Sequence, residues 1–265
     1  MAVGIVRSIW TYRGFISGSV KRDFQTRYRN SLLGAAWTIL NPLAMIVVYT
    51  VIFAEVMKAR LPGVDGRFAY SIFLCAGTLT WGLFAEIVGR AQNVFIEQAN
   101  LIKKINFPRI CLPVIVVVNA GINFGIIFGL FVLFLLFSGS FPGIGFLGIF
   151  PVLAIQVLFA IGLGMSVGVL NVFFRDVGQL FAVLLQFWFW FTPVVYPRTI
   201  LPQWVQKYID MNPMTPLIGA YQEVLVHGRW PDWNSLLLPA GLALALCFLG
   251  LRLFRKRVGE MVDEL

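Results

Sequence analysis

Few residues in this chain could do bond chemistry, and their spacing suits little of it. The single histidine, His227, has no Cys, Asp or Glu at ligand spacing, so no metal site is expected. Cys75, Cys111 and Cys247 sit in apolar runs without a CxxC pair and read as small core hydrophobes. No GxxxxGKS or GxxxxGKT segment occurs, so the chain carries no nucleotide-binding P-loop of its own. A membrane enzyme would need a nucleophile or a general base held by neighbours. At one surface only Asp210, Glu223 and Asp232 are available, and no catalytic set forms. No catalytic residue is expected, and the chain is read as not an enzyme. What is abundant is aromatic: Phe181, Phe187, Trp188, Phe189, Trp190, Phe191 and Tyr196 crowd one segment, with Trp37 and Tyr49 earlier. Two readings stand open. These rings face lipid and form interfacial belts, or they form a track on which the C–H faces of sugar rings stack and slide.

The elements that position these residues follow from composition. Of 265 residues 59% are hydrophobic and only 12% charged, with a mean hydropathy of +0.83. A soluble domain carries about 25% charged residues, so a water-facing globule and a disordered chain are both excluded. The net charge is +9. In a bilayer protein that reads as cytoplasmic loop charge rather than a nucleic-acid surface, and no nucleic acid partner is expected. A helix needs about 20 apolar residues to cross the hydrocarbon. Uncharged gaps run from Arg29 to Glu55, Arg67 to Glu86, Arg109 to Arg175, Asp176 to Arg198 and Asp232 to Arg252. The third gap is long enough for two spans, with a turn at Ser138–Gly143. The expected fold is therefore all-α, an integral membrane protein with six transmembrane helices. Fifteen Lys and Arg fall on the side of the termini and six on the other, which puts both termini in the cytoplasm. No cleavable signal peptide is read at the N-terminus.

Residues 1–30 are not a span. Ile5, Ile9, Tyr12, Ile16, Val20, Phe24 and Tyr28 recur at steps of three and four between basic residues, an amphipathic helix for the membrane interface. Gly14 and Gly18 should weaken or bend it. Two further segments do not cross. Gln92–Phe107 is helix-compatible and mixed polar on the cytoplasmic side. Arg198–Asp232 is cut by prolines into short amphipathic pieces on the outer side, with Thr215 as an expected helix cap. Glu86, at the inner end of the second span, is the only carboxylate within the spans, and it is placed to pair with Arg90 four residues on. So sparse a set of intramembrane charges argues against ion-coupled transport. Gly121, Gly125 and Gly129, and then Gly164 and Gly168, are spaced for close helix packing. On the plain reading Asp176 caps the fifth span and Arg175 serves the positive-inside bias.

Several stretches resemble one family in order along the chain. Arg22–Gly34 with Trp37 and Asn41-Pro42, Asn100–Lys104 with Phe107-Pro108-Arg109, Asn171–Val177 and Asn212–Pro216 together are similar to polysaccharide-export permeases of ATP-binding-cassette transporters. The resemblance implies an interface helix at 1–30, a transmembrane domain at 31–258 and a cytoplasmic tail at 259–265. It implies a cytoplasmic coupling helix at about 92–107, presenting Phe95, Ile96, Glu97, Leu101, Lys103 and Lys104, and short outer gate helices at about 199–228, with Trp204, Tyr208 and Tyr221. Tyr49, Trp188, Trp190 and Tyr196 become candidate substrate-channel contacts; Arg22, Arg27, Arg29 and Arg175 become contacts to a lipid headgroup or to the ATPase. The implied assembly is a homodimer of permeases with two ABC ATPase subunits in the bacterial inner membrane. It moves undecaprenyl-diphosphate-linked, O-antigen-like polysaccharide outward. ATP and Mg would belong to the partner ATPase, with no cofactor on this chain. The same fold exporting teichoic acid, a drug or a small lipid is the alternative, as is an enzyme acting on lipid-linked sugars.

Overall fold

The computed structural model describes residues 2–27, 36–52, 61, 68–104 and 107–264, and every regular element among them is helical. Two N-terminal helices, α1 (Ala2–Thr11) and α2 (Arg13–Arg27), are separated at Tyr12 and lie against the bundle through Ile16 and Val20. Next come α3 (Trp37–Tyr49), α4 (Ala69–Glu97), α5 (Ala99–Lys104) and α6 (Cys111–Phe137). They are followed by α7 (Ile149–Phe173), α8 (Asp176–Trp190), α9 (Gln203–Asp210), α10 (Met214–His227), α11 (Trp233–Arg257) and α12 (Glu260–Glu264).

The axis is α4. Of its membrane-length window 72% is buried, against 22% for α6 and for α11. Gln156 of α7 donates to the Thr80 carbonyl at 2.6 Å, and Asn171 donates to the Gln92 carbonyl at 2.9 Å, so α4 and α7 run parallel. A Cβ on Gly164 would lie 2.6 Å from the Ala91 Cβ, and one on Gly168 2.6 Å from the Ala91 carbonyl oxygen. Only glycine allows that approach. On the other flank, a Cβ on Gly162 would lie 2.6 Å from the Cys247 nitrogen, and Gly148 meets Pro231, so α7 and α11 are parallel too. The expected packing of Gly121, Gly125 and Gly129 is not seen: all three are exposed, with nothing within 4 Å among the described residues. Antiparallel to α4 runs α6, with Asn123 on Glu86 and Phe134 on Phe68. The turn expected at Ser138–Gly143 is present, with Gly139 and Gly143 at positive φ of 68° and 64°.

The six-span expectation is corrected. Among the described residues four helices are long and apolar enough to cross: Ala69–Glu97, Cys111–Phe137, Gly143–Phe173 (including its 3-10 lead-in) and Trp233–Arg257. The first expected span appears as the short α3, with Pro42 inside it, and the fifth as the 15-residue α8. At 1.5 Å per residue, α8 covers about 22 Å, short of the roughly 30 Å hydrocarbon. An uncharged gap measures apolar chain, not unbroken helix. Because α7 and α11 are parallel, the chain must still return from Phe173 to Trp233, and it does so in pieces.

Candidate functional site

That return is the unusual part of the molecule. Its start is tied down by Asn171: Nδ2 donates to Gln92 of α4, and Oδ1 accepts the Gly178 N–H of α8 at 2.8 Å. The side-chain cap of α8 is thus Asn171, not Asp176. Phe181, Leu185, Trp188 and Phe189 pack into the core, while Leu180, Val183, Leu184, Phe187 and Trp190 stay exposed. The helix stops at Trp190 because Pro193 disfavours helical backbone at the residue before it, Thr192. The next helical stretch to reach the outer end is α10, and Asn212 splices it to α8. Its Oδ1 accepts from the Trp188 indole N–H at 2.8 Å and the Met214 N–H at 3.0 Å. Its Nδ2 donates to the Phe191 carbonyl at 3.1 Å and to the Thr192 hydroxyl at 2.9 Å. Asn212, rather than Thr215, therefore caps α10. Gln222 donates to the Pro193 carbonyl, and Tyr70 to the Val195 carbonyl. Between the two halves, Arg198 and Asp210 form a two-bond ion pair at 2.6 and 2.5 Å. Those hydrogen bonds raise the Arg198 pKa further.

The expected site residues divide. Trp188 is drawn inward, edge-on to Trp81, Phe84 and Phe159 at 5.4–6.3 Å, so its indole serves the core of this chain. Trp190 is exposed, and the Tyr196 hydroxyl donates to its carbonyl at 2.6 Å. Tyr49 is half-buried against the core, on a helix whose Leu43, Val47, Val48 and Val51 are exposed. Trp204 and Tyr208 are exposed on α9, whereas Tyr221 is fully buried and belongs to the core. Arg175 is exposed at the start of α8. Arg22 donates to the Ser19 hydroxyl at 2.9 Å beside a cavity. Arg29 and the side chains of Arg27 and Lys104 lie outside the described residues.

The coupling segment is not one helix. Gln92–Glu97 is the end of α4, the chain breaks at Gln98, and α5 follows. Phe95 is 1% exposed and stacks on Phe254 of α11 at 5.5 Å, so it is a core residue, not an available anchor. Ile96 and Leu101 are half-buried, and the surface left outward is Glu97, Asn100 and Lys103.

Sequence reasoning missed the inner polar cluster. Asn123 donates to Glu86 at 2.8 Å, Arg90 lies 3.5 Å from Glu86 and 3.8 Å from Asp23, and Asn119 donates to Asp23 at 2.7 Å. The Glu86–Arg90 pair is present, extended to α2. The signal was Asn119 and Asn123 standing in an apolar helix, where an amide must find a partner. The outer carboxylates are engaged structurally: Asp210 by Arg198, Asp232 as the cap of α11, and Glu223 beside His227 and Arg229.

Long apolar helices, polar groups spent on joining helix ends, and one broken crossing define a multi-pass membrane protein. Residues 16–226 match the model of the ABC-2 type transporter family, and the chain belongs to that family as a multi-pass protein of the inner membrane. It is similar to the O-antigen export system permease protein RfbA of Myxococcus xanthus, with 30% identity over 99% of this chain and 100% of that protein. The permease of the same name from Klebsiella pneumoniae is 31% identical over 89% of this chain and 88% of its own length. The polysialic acid transport protein KpsM of Escherichia coli is 22% identical over 92% of this chain and 93% of its own length.

Proposed function

We propose that the chain is the membrane subunit of an ATP-driven exporter of lipid-linked, O-antigen-like polysaccharide. It works as a homodimer with two separate ATPase subunits, both termini being cytoplasmic. One observation carries the reading beyond family membership. About 20 residues back from Arg90 puts the outer hydrocarbon boundary near Tyr70. Val194 packs against Gly77, eight residues into α4 and so about 12 Å from its outer end. Non-helical backbone at that depth is tolerated only where protein covers it or water reaches it. This chain covers Thr192–Val194 itself, whereas Phe187, Trp190 and Phe191 beside them are exposed and suit a wet, aromatic path along which a glycan slides. In this reading α9, with Trp204 and Tyr208 outward, forms the movable outer gate. Asn100 and Lys103 face the ATPase, and Arg22 and Arg175 lie near headgroups.

Deletion of the gene should abolish surface polysaccharide while lipid-linked polymer accumulates inside, and the wild-type chain should restore export. Lys103→Glu, on the outward face, should restore it at least about tenfold less well at unchanged protein level. Normal surface polymer in the deletion strain would refute the export reading.

A further inference from the structure

A cavity of about 340 Å³ lies between α2, the end of α4, the start of α5 and α6. That is within the range of small-ligand sites, about 300–1,000 Å³. Its polar lining is of both signs: Arg22 and Arg90, Asp23 and Glu97, with Ser19 and Asn119. Gln98 adds a second amide, and the rest of the wall is apolar, including Leu112 and Ile115 of α6. Asn119 is 2% exposed. Its Nδ2 must face Asp23, because a carboxylate only accepts. Its Oδ1 therefore points elsewhere and, among the described residues, receives no donor. A buried acceptor without a donor is costly unless something supplies one.

We infer that the cavity holds the headgroup of a zwitterionic aminophospholipid, phosphatidylethanolamine, in the inner leaflet. The phosphate sits between Arg22 and Arg90. The ammonium donates to Asp23 and Glu97. Arg22 spends one donor on Ser19 and keeps the others for the ligand. Charge selects the class of ligand. Two guanidiniums against two carboxylates balance, and Arg90 already leans on Glu86. A diphosphate would meet repulsion from Asp23 and Glu97; a simple cation would leave Arg22 without an anion. Along α6, Leu112, Ile115, Asn119 and Ile122 share one face at helical spacing. The exposed Ile122 continues the wall toward the bilayer middle, where an acyl chain would run. The inference goes beyond the export reading and does not depend on which polymer is carried.

The test is native mass spectrometry of the full-length, detergent-purified permease titrated with one lipid at a time. Phosphatidylethanolamine should bind at one molecule per chain. Phosphatidylcholine, whose ammonium has no N–H, and phosphatidylglycerol, which has no ammonium, should bind at least about tenfold more weakly. Arg22→Gln and Glu97→Gln, both at the cavity edge, should each weaken phosphatidylethanolamine by about tenfold. Equal binding of the three lipids by the wild-type chain would overturn the proposal without recourse to any variant. Tighter binding of undecaprenyl phosphate or diphosphate would overturn it in favour of the substrate headgroup.

Discussion

Asn212 holds four partners with one amide, and they are the groups that a broken helix leaves open. Leucine at this position would be close in size but would strand the Trp188 N–H and the Met214 N–H inside the chain, while the Phe191 carbonyl, at an exposed residue, would lose its donor at less cost. Each unpaired buried group costs about 1–3 kcal/mol. Trp188→Phe removes one bond, worth about 1 kcal/mol net, leaves Asn212 Oδ1 occupied by Met214, and also empties the space of the second indole ring against Trp81, Phe84 and Phe159. Thermal unfolding of the purified chain should therefore fall for both variants. With both changes together the losses should not add, because they share a bond. Full additivity in the double variant, or an Asn212→Leu chain as stable as wild type, would mean that Asn212 is not the splice. The Asn-Pro pair could be seen in the sequence, but its function could not: three of its four partners lie 20 to 24 positions away, and only the fold brings them together.

Among the elements, α4 and α7 meet through glycines that look, in sequence, like those of α6. The spacing of four is the same in both sets. Alanine at Gly168 would drive a Cβ to 2.6 Å from the Ala91 carbonyl oxygen, and backbone cannot yield cheaply. Alanine at Gly121 meets nothing within 4 Å and gains up to about 1 kcal/mol of helix propensity. Gly168→Ala should lower folded yield and thermal stability, and Gly121→Ala should leave them level or higher; a loss at Gly121 matching that at Gly168 would contradict this packing. Here the legibility of the chain has a physical boundary. Apolar runs, the Ser138–Gly143 turn, the proline-cut outer segment and the Glu86–Arg90 pair are local properties, and they were readable. Which face of a helix meets a neighbour is not local. Phe95 therefore read as a docking anchor although Phe254, 159 positions later, covers it. The count of spans failed for a related reason: Thr192-Pro193 breaks α8 without any charge to mark the break.

At the scale of the whole molecule, two apolar surfaces look alike and should behave differently. The outward face of α11, with Leu237, Leu244 and Phe248, belongs to a continuous 25-residue helix whose backbone bonding is interrupted only at Pro239, in the second turn at the outer end. Lipid alone suffices for it. The outward face of α8, with Val183, Phe187 and Trp190, stops part-way across: Thr192–Val194 turn into the bundle and are covered there, while the exposed Trp190 and Phe191 have, among the described residues, no continuing helix beside them. A second copy of the chain against α8 would supply the cover and enclose a path beside it. In a background with Cys75, Cys111 and Cys247 replaced by serine or alanine, single cysteines at Val183 and at Leu244 separate the cases. Oxidation or a short bis-maleimide applied to intact membranes should give a disulfide- or linker-joined dimer from Val183→Cys. Leu244→Cys should stay monomeric on the denaturing gel. Dimer from Leu244→Cys alone would move the partner to α11 and leave the broken crossing to be covered by water, and a channel between two copies along α8 would then be excluded.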